Sequence, residues 1–311
     1  MAKVVLTSLR TKNFSYSEIC AAVANAIDRL GFSFKEETKD VVLKPNLCYY
    51  WNYSTGETTD PRVVSAVVDY VRSKLGKDIN ITVAEADASS MKTKYSFGVL
   101  GYDKLCQSKN LKFQNLSEGK LVDVKVSVNS KEIVLPVNEI LLKADLIINI
   151  PKLKTHNFVR ATCSLKNMFG AIAKPRKYSY HNMISQAIVG VNKIVRSDLC
   201  VVDGIIVRGS STKRLGAILA GDNPFATDFI AAEAMGFNPR RIPYLNMAEK
   251  NGIGKASEIE LIEDQIKLKE VRSMFPGYNH FIHKISWSLQ LKMLRAYAAV
   301  VGDVIPPVLE E

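Results

Sequence analysis

Cysteine is sparse and scattered. The five residues Cys20, Cys48, Cys106, Cys163 and Cys200 are odd in number and form no CxxC pair, which argues against a disulfide framework and against a self-contained zinc or ferredoxin-type site. Long apolar runs are missing too. None reaches the roughly 20 residues that span a bilayer, and the opening Met1-Ala2-Lys3-Val4-Val5-Leu6 reads as a first strand without the apolar core of a signal peptide. The expectation is a cytoplasmic protein with reduced thiols. No repeat or low-complexity tract interrupts the chain, and 47% hydrophobic with 23% charged residues excludes extended disorder.

Charge is present in excess of one sign. A net +11 favours anionic partners, but it is a statement about fields, and where the cations sit matters more.

Local signals outline alternating strands and helices. Ser15 and Glu18 have capping-box spacing, followed by Ile19, Val23, Ile27 and Leu30 at helical period and by Gly31 as a stop. Asp40 to Lys44 reads as a buried strand ended by Pro45-Asn46, and Asp60-Pro61 opens a second helix that Gly76 closes. Ile79 to Ala84 is a strand that delivers Glu85 and Asp87, with one helix expected from about Tyr95 to Ser108. Two alternating runs around Asn129-Ser130 predict an antiparallel hairpin within an insertion at 115–140. Asp145 to Ile150 is the clearest strand; after Pro151 a helix is expected from about Asn157 to Ala173. Strands at Leu199–Val202 and Leu215–Ala220 lead to Asp203 and Asp222, a helix follows at Thr227–Met235, and a last amphipathic helix runs from about Phe281 to Val300. The fold class expected is α/β: a largely parallel central sheet flanked by helices, with an inserted antiparallel hairpin or small lobe.

The chemistry concentrates between Ile148 and Gly170. This stretch carries Lys152, Lys154, His156, Arg160 and Lys166, interleaved with Asn149, Thr155, Asn157, Thr162, Ser164 and Asn167. Ligands of open α/β sheets bind beyond the carboxyl ends of the strands, where a following helix adds amide donors. In extended geometry Lys152 and Lys154 project to one side and Leu153 to the other, so both ammonium groups could meet one phosphate or carboxylate. His156 suits proton transfer, because its unperturbed pKa lies near neutrality. Asp203, Asp222 and Asp228 could balance the lysines, bind a divalent metal or move a proton, and Glu85 with Asp87 is a further acidic pair. Cys48 and Cys163 stand near cations, but small buried hydrophobes are the ordinary reading of such thiols.

Five separate motifs, KPNL (Lys44–Leu47), INIPKLKTH (Ile148–His156), SLKNMFG (Ser164–Gly170), VVDGI (Val201–Ile205) and AGDNPFATD (Ala220–Asp228), occur in an order that resembles the domain-of-unknown-function family 362. The resemblance covers about Val41 to Gly254. It implies a single α/β domain over residues 1–257, with 258–311 as a C-terminal extension, and a shared site formed by Lys44, Asn46, Lys152, Lys154, His156, Lys166, Asn167, Asp203 and Asp228. Members of that family are often fused to iron-sulfur ferredoxin modules, which implies a ferredoxin-type redox partner; this chain itself has no CxxCxxC run and no intrinsic cluster motif.

Three functions are consistent with these residues. The favoured one is an enzyme for an anionic small-molecule metabolite or cofactor, with Lys44, Lys152, Lys166 and Asp228 binding, Asn46 and Asn167 orienting, and His156, Lys154 and Asp203 catalytic. The alternative is a redox-associated or cofactor-handling protein working with a separate iron-sulfur partner. Nucleic-acid binding ranks last, because no RNA-recognition or helix-turn-helix signature accompanies the positive charge.

Overall fold

The computed structural model describes residues 1–11, 13–47, 49–89 and 91–277, together with Leu289, Lys292, Met293 and Ala296. Cys48 and most of the amphipathic helix expected at 281–300 lie outside the described residues.

The strands are β1 (Ala2–Ser8), β2 (Asp40–Pro45), β3 (Asn80–Glu85), β4 (Lys112–Asn115), β5 (Leu121–Val128), β6 (Lys131–Asn138), β7 (Leu146–Ile150), β8 (Lys152–His156), β9 (Arg160–Thr162), β10 (Leu199–Arg208), β11 (Thr212–Gly221) and β12 (Ile259–Glu263). The helices are α1 (Tyr16–Leu30), α2 (Pro61–Leu75), α3 (Thr93–Val99), α4 (Tyr102–Ser108), α5 (Glu139–Lys143), α6 (Ser164–Met168), α7 (Ile184–Ile194), α8 (Pro224–Ala234), α9 (Pro243–Lys250) and α10 (Leu268–Met274).

One sheet runs in the order β12-β1-β11-β10-β7-β2-β3-β4. β11 is antiparallel to both its neighbours, and the other pairings along that path are parallel. The α/β class expected from the sequence is therefore the class observed. β12, from the stretch read as an extension, pairs with β1 at the sheet edge.

Strand alternation feeds two cores. In β2, Val41 and Leu43 face the layer of α1, α2, α3 and α4, while Val42 faces the layer of α6 to α10. Each fully buried aliphatic of this kind stabilises by roughly 1.5–3 kcal/mol. β5 and β6 form the expected hairpin, with Asn129 and Ser130 both at positive φ in the turn. The hairpin packs on α7 at Gly190, where an added Cβ would come within 2.8 Å of Ile133.

Local caps match the sequence reading. Ser15 and Glu18 make a complete capping box on α1, Gly31 ends it in the left-handed region, and Asp60 caps α2 with Pro61 at its first turn.

Three expectations are corrected. The helix expected over Tyr95–Ser108 is two short helices broken at Gly101, whose φ is 80°. The chain after Pro151 does not enter a helix at Asn157: it continues as β8, turns, returns as β9, and only then forms the five-residue α6. Asp203 does not sit at a strand end, because β10 runs on to Arg208 past an irregularity between Gly204 and Ile206. The physical reason is shared. β10 pairs first with β7 and then with β8, so β7 and β8 act as one strand bent at Pro151, and residues read as loop are held in the sheet by partners distant in sequence.

Candidate functional site

The extra length of β8, β9 and β10 raises a wall over the carboxyl ends of β2, β3 and β7. The loop after β2 closes against this wall. Its two ends are tied by the hydrogen bonds from Thr59 N to Asn46 O (2.9 Å) and from Asn46 N to Thr59 Oγ1 (2.9 Å), and Thr59 Oγ1 donates to Ile150 O. Gly56 in this loop has φ 78°, and an added Cβ would stand 2.6 Å from the Val207 carbonyl carbon, so only glycine allows the close approach.

Between loop and wall lies a cavity of about 350 Å³. Asn46, Lys154, His156, Lys166, Asn167 and Lys177 border it, with Glu57, Glu85, Thr162 and His181 and an aromatic rim that includes Tyr49 and Trp51. Of the sequence-derived residues, Lys44, Lys152, Asp203 and Asp228 do not line it.

Lys44 lies beside Glu85 and Gly170, two residues that border the cavity. Its Nζ is 2.7 Å from Glu85 Oε2 and donates to Pro45 O. Burial lowers its pKa and the Glu85 charge opposes that shift. Glu85 also accepts from the amides of Leu47 and Ala86. Gly170 leaves room for the pair, since a Cβ there would stand 2.9 Å from Glu85 Oε1 and 3.1 Å from Lys44 Nζ.

Lys152 and Lys154 do project together, with Leu153 in the opposite core. They do not share an anion. Lys152 Nζ pairs with Asp203 Oδ2 at 2.7 Å, both side chains fully buried, and Asp203 accepts from the amides of Asp60 and Ile205. Burial raises the Asp203 pKa, and Lys152 counters it. Lys154 bonds Glu57 Oε2 at 3.0 Å and Glu57 O at 2.8 Å at the cavity edge. The three remote stretches around Lys44, Lys154 and Asp203 thus meet at one rim, but only Lys154 faces the cavity.

Asp228 occupies the start of α6, the place expected to attract a ligand. It accepts from Leu165 N at 3.2 and 3.3 Å and from the Tyr244 hydroxyl, and burial pushes its pKa up to about 7. The Cys163 thiol is buried beside it and raised well above the ordinary value by desolvation, so it stays a protonated core group.

Amide orientation follows from the hydrogen-bond ladder. Asn149 Nδ2 donates to Ser164 O, so its Oδ1 accepts from Asn167 Nδ2 at 2.8 Å; Asn167 Oδ1 then accepts from Asn46 Nδ2 at 3.1 Å. The ladder ends on Asn46 Oδ1, a buried acceptor without a protein partner among the described residues. Thr162 Oγ1 shares that condition, and both residues border the cavity. Buried polar atoms are rarely left unpaired. His156 Nδ1 accepts from Phe158 N at 3.1 Å, which puts the ring hydrogen of the neutral form on Nε2.

Sequence reasoning missed Lys177, Glu57, Thr162 and His181 as members of one site. Lys177 was visible only as part of the basic run at 174–177. Its Nζ donates to Asp87 O, and burial brings its pKa down to about 7. Lys166 lies over the Phe169 ring at 4.6 Å, a cation–π contact that fixes it at the cavity wall. Among the described residues no group of three His, Cys, Asp or Glu side chains is arranged to hold a metal ion.

The family described as Domain of unknown function (DUF362) matches residues 41–233. This chain belongs to that family. The DUF362 chain is also 26% identical over 288 residues to a thylakoid-associated protein of Synechocystis sp., covering 85% of this chain and 87% of the relative. Among solved structures, the lactate racemase apoprotein from Thermoanaerobacterium thermosaccharolyticum is similar with a TM-score of 0.51 and 15% identity, over 74% of this chain. The matched region spans 56% of that protein's length, and at this identity the likeness is one of fold. No helix among the described residues is long and apolar enough to cross a membrane.

Proposed function

We propose that this protein is a cytoplasmic enzyme acting on a small hydroxylated anion, bound in the cavity beyond the carboxyl ends of β2, β3 and β7. The observation that carries this reading is the pair of buried, unpartnered atoms at the cavity, Asn46 Oδ1 and Thr162 Oγ1. Asn46 Oδ1 is an acceptor by its place in the amide ladder and suits a ligand hydroxyl. Thr162 can donate to a ligand oxygen, and Lys154 and Lys166 border the same space with positive charge. His156 offers Nε2–H as donor, and Lys154, held by Glu57, positions the anionic group. Lys44, Lys152, Asp203 and Asp228 act through these groups: they hold β2, β8, β10 and α6 where the lining residues need to be.

The test is calorimetric titration at low salt with lactate and glycerol 3-phosphate, each against its deoxy analogue. Lactate enters the panel as a carboxylate with one hydroxyl and as the compound named in the related fold. The expected result is binding of a hydroxylated anion about tenfold tighter than its deoxy analogue, the roughly 1.4 kcal/mol that an unfilled buried acceptor costs. Absence of heat for every anion, with no thermal stabilisation, would overturn the reading. Fractionation of the native host tests the cytoplasmic location, and recovery of the protein only with membranes would contradict it.

A further inference from the structure

Four lysines among the described residues have buried side chains: Lys44, Lys152, Lys154 and Lys177. Three of them end on carboxylates, Glu85, Asp203 and Glu57, at 2.7, 2.7 and 3.0 Å. Lys177 is built differently. Its hydrogen bond goes to the main-chain carbonyl of Asp87, an acceptor that serves a neutral amine as well as an ammonium ion. Burial lowers its pKa most, Glu85 and Asp87 oppose that shift, and the like charges of Lys44 and Lys166 add to it. The two carboxylates are already engaged: Glu85 by Lys44 and two amides, Asp87 by Thr93 N and Asn115 Nδ2. The result is an amine at the cavity wall that ends on a carbonyl and whose pKa burial brings down to about 7.

We propose that Lys177 is a nucleophilic amine at which the protein captures a carbonyl-bearing anion as an imine. The ligand class rests on the reading given above; the reactive amine rests on the contrast among the four lysines. In this step the nitrogen lone pair forms a bond to the carbonyl carbon. The carbonyl oxygen then leaves with both amine hydrogens as one water, and hydrolysis restores the amine. Hydroxypyruvate carries the three features together: a carboxylate for the lysines, a hydroxyl for Asn46 Oδ1 and a carbonyl for Lys177.

The experiment traps the imine. Wild-type full-length protein is incubated with hydroxypyruvate and borohydride, then mapped by peptide mass spectrometry. The expected outcome is a single reduced adduct per chain on Lys177, absent in Lys177→Met and retained in the surface control Lys143→Met. In parallel, reductive methylation with formaldehyde and cyanoborohydride is followed lysine by lysine against pH, with Lys177 reacting near neutrality and exposed lysines only toward alkaline pH. Both mapping measurements use the wild-type chain, so they hold even if Lys177→Met folds poorly. Adducts spread over surface lysines, or a Lys177 that reacts no earlier in pH than they do, would overturn the proposal. Lactate forms no imine, so its calorimetry reports the binding reading alone: lactate bound without a Lys177 adduct removes the imine and leaves that reading, whereas early Lys177 methylation with neither anion binding nor a hydroxypyruvate adduct overturns both.

Discussion

Two polar regions share the rim of this sheet, and they differ in how completely their groups are satisfied. Within the wall, Lys152 and Asp203 are fully buried, pair at 2.7 Å, and the carboxylate takes two further amide hydrogen bonds. At the cavity, Asn46 Oδ1 and Thr162 Oγ1 have no protein partner among the described residues, and Lys177 meets a carbonyl where the other buried lysines meet carboxylates. Both regions contain buried lysines, so a lysine by itself does not separate scaffold from site. Partner saturation together with position does: the saturated charges hold the chain together, while Asn46 Oδ1 and Thr162 Oγ1 are unpartnered at the cavity, unlike Thr58 Oγ1, Thr93 Oγ1 and Asn192 Oδ1, which also lack a partner among the described residues but do not border it.

The largest effect expected is on the saturated side. Lys152→Met leaves Asp203 ionisable and unpaired in the core and should cost about 3–5 kcal/mol in urea unfolding. Adding Asp203→Asn should recover part of that loss, because it removes the orphaned charge and keeps an acceptor for the amides. A double variant no better than the single one would mean the two groups do not act as a pair.

On the unsaturated side the sign reverses. Lys177 has its folded pKa depressed to about 7, whereas the unfolded lysine titrates near 10.4. Between those values the unfolded chain binds more protons, so the wild type gains stability as pH rises through that window and bears the full burial cost below it. Lys177→Met should therefore stabilise the fold, by roughly 2–3 kcal/mol more at about pH 6 than at about pH 9. A gain independent of pH would place the amine in an ordinary charged state.

The smallest stability effect belongs to Thr162→Val. Deleting a hydroxyl that bonds nothing in the protein should move unfolding by no more than about 0.5 kcal/mol, while affinity for a hydroxylated anion falls about tenfold. Substantial destabilisation with unchanged affinity would make Thr162 part of the scaffold.

Much of the fold is legible because its signals are local. Ser15 with Glu18, Asp60 with Pro61, and Asn129-Ser130 announce their caps and turn within a few residues. The stretch after Pro151 misleads because its structure is decided elsewhere. A strand with Lys152 and Lys154 facing inward looks like a loop until Asp203 and Glu57, 51 and 97 residues away, are brought alongside. The same non-local pairing turns Asp203 from a presumed strand-end group into one in mid-strand. Asp228 could be read as a polar residue near a helix start, but not as the acceptor for the Leu165 amide at the start of α6. Lys177 is hardest to see: in sequence it is one more cation in a basic run, and its distinctness is set by its burial against the Asp87 carbonyl, beside Lys44 and Lys166.

The central claim is that the unsaturated groups form one binding site, and the most direct measurement is titration of lactate and of glycerol 3-phosphate into wild type, Thr162→Val and Lys152→Met/Asp203→Asn under identical low-salt conditions. The account predicts saturable binding of a hydroxylated anion to the wild type, weakened about tenfold by the first variant and retained by the folded fraction of the double variant. Equal affinity in all three, or no binding of either anion to any, would contradict it.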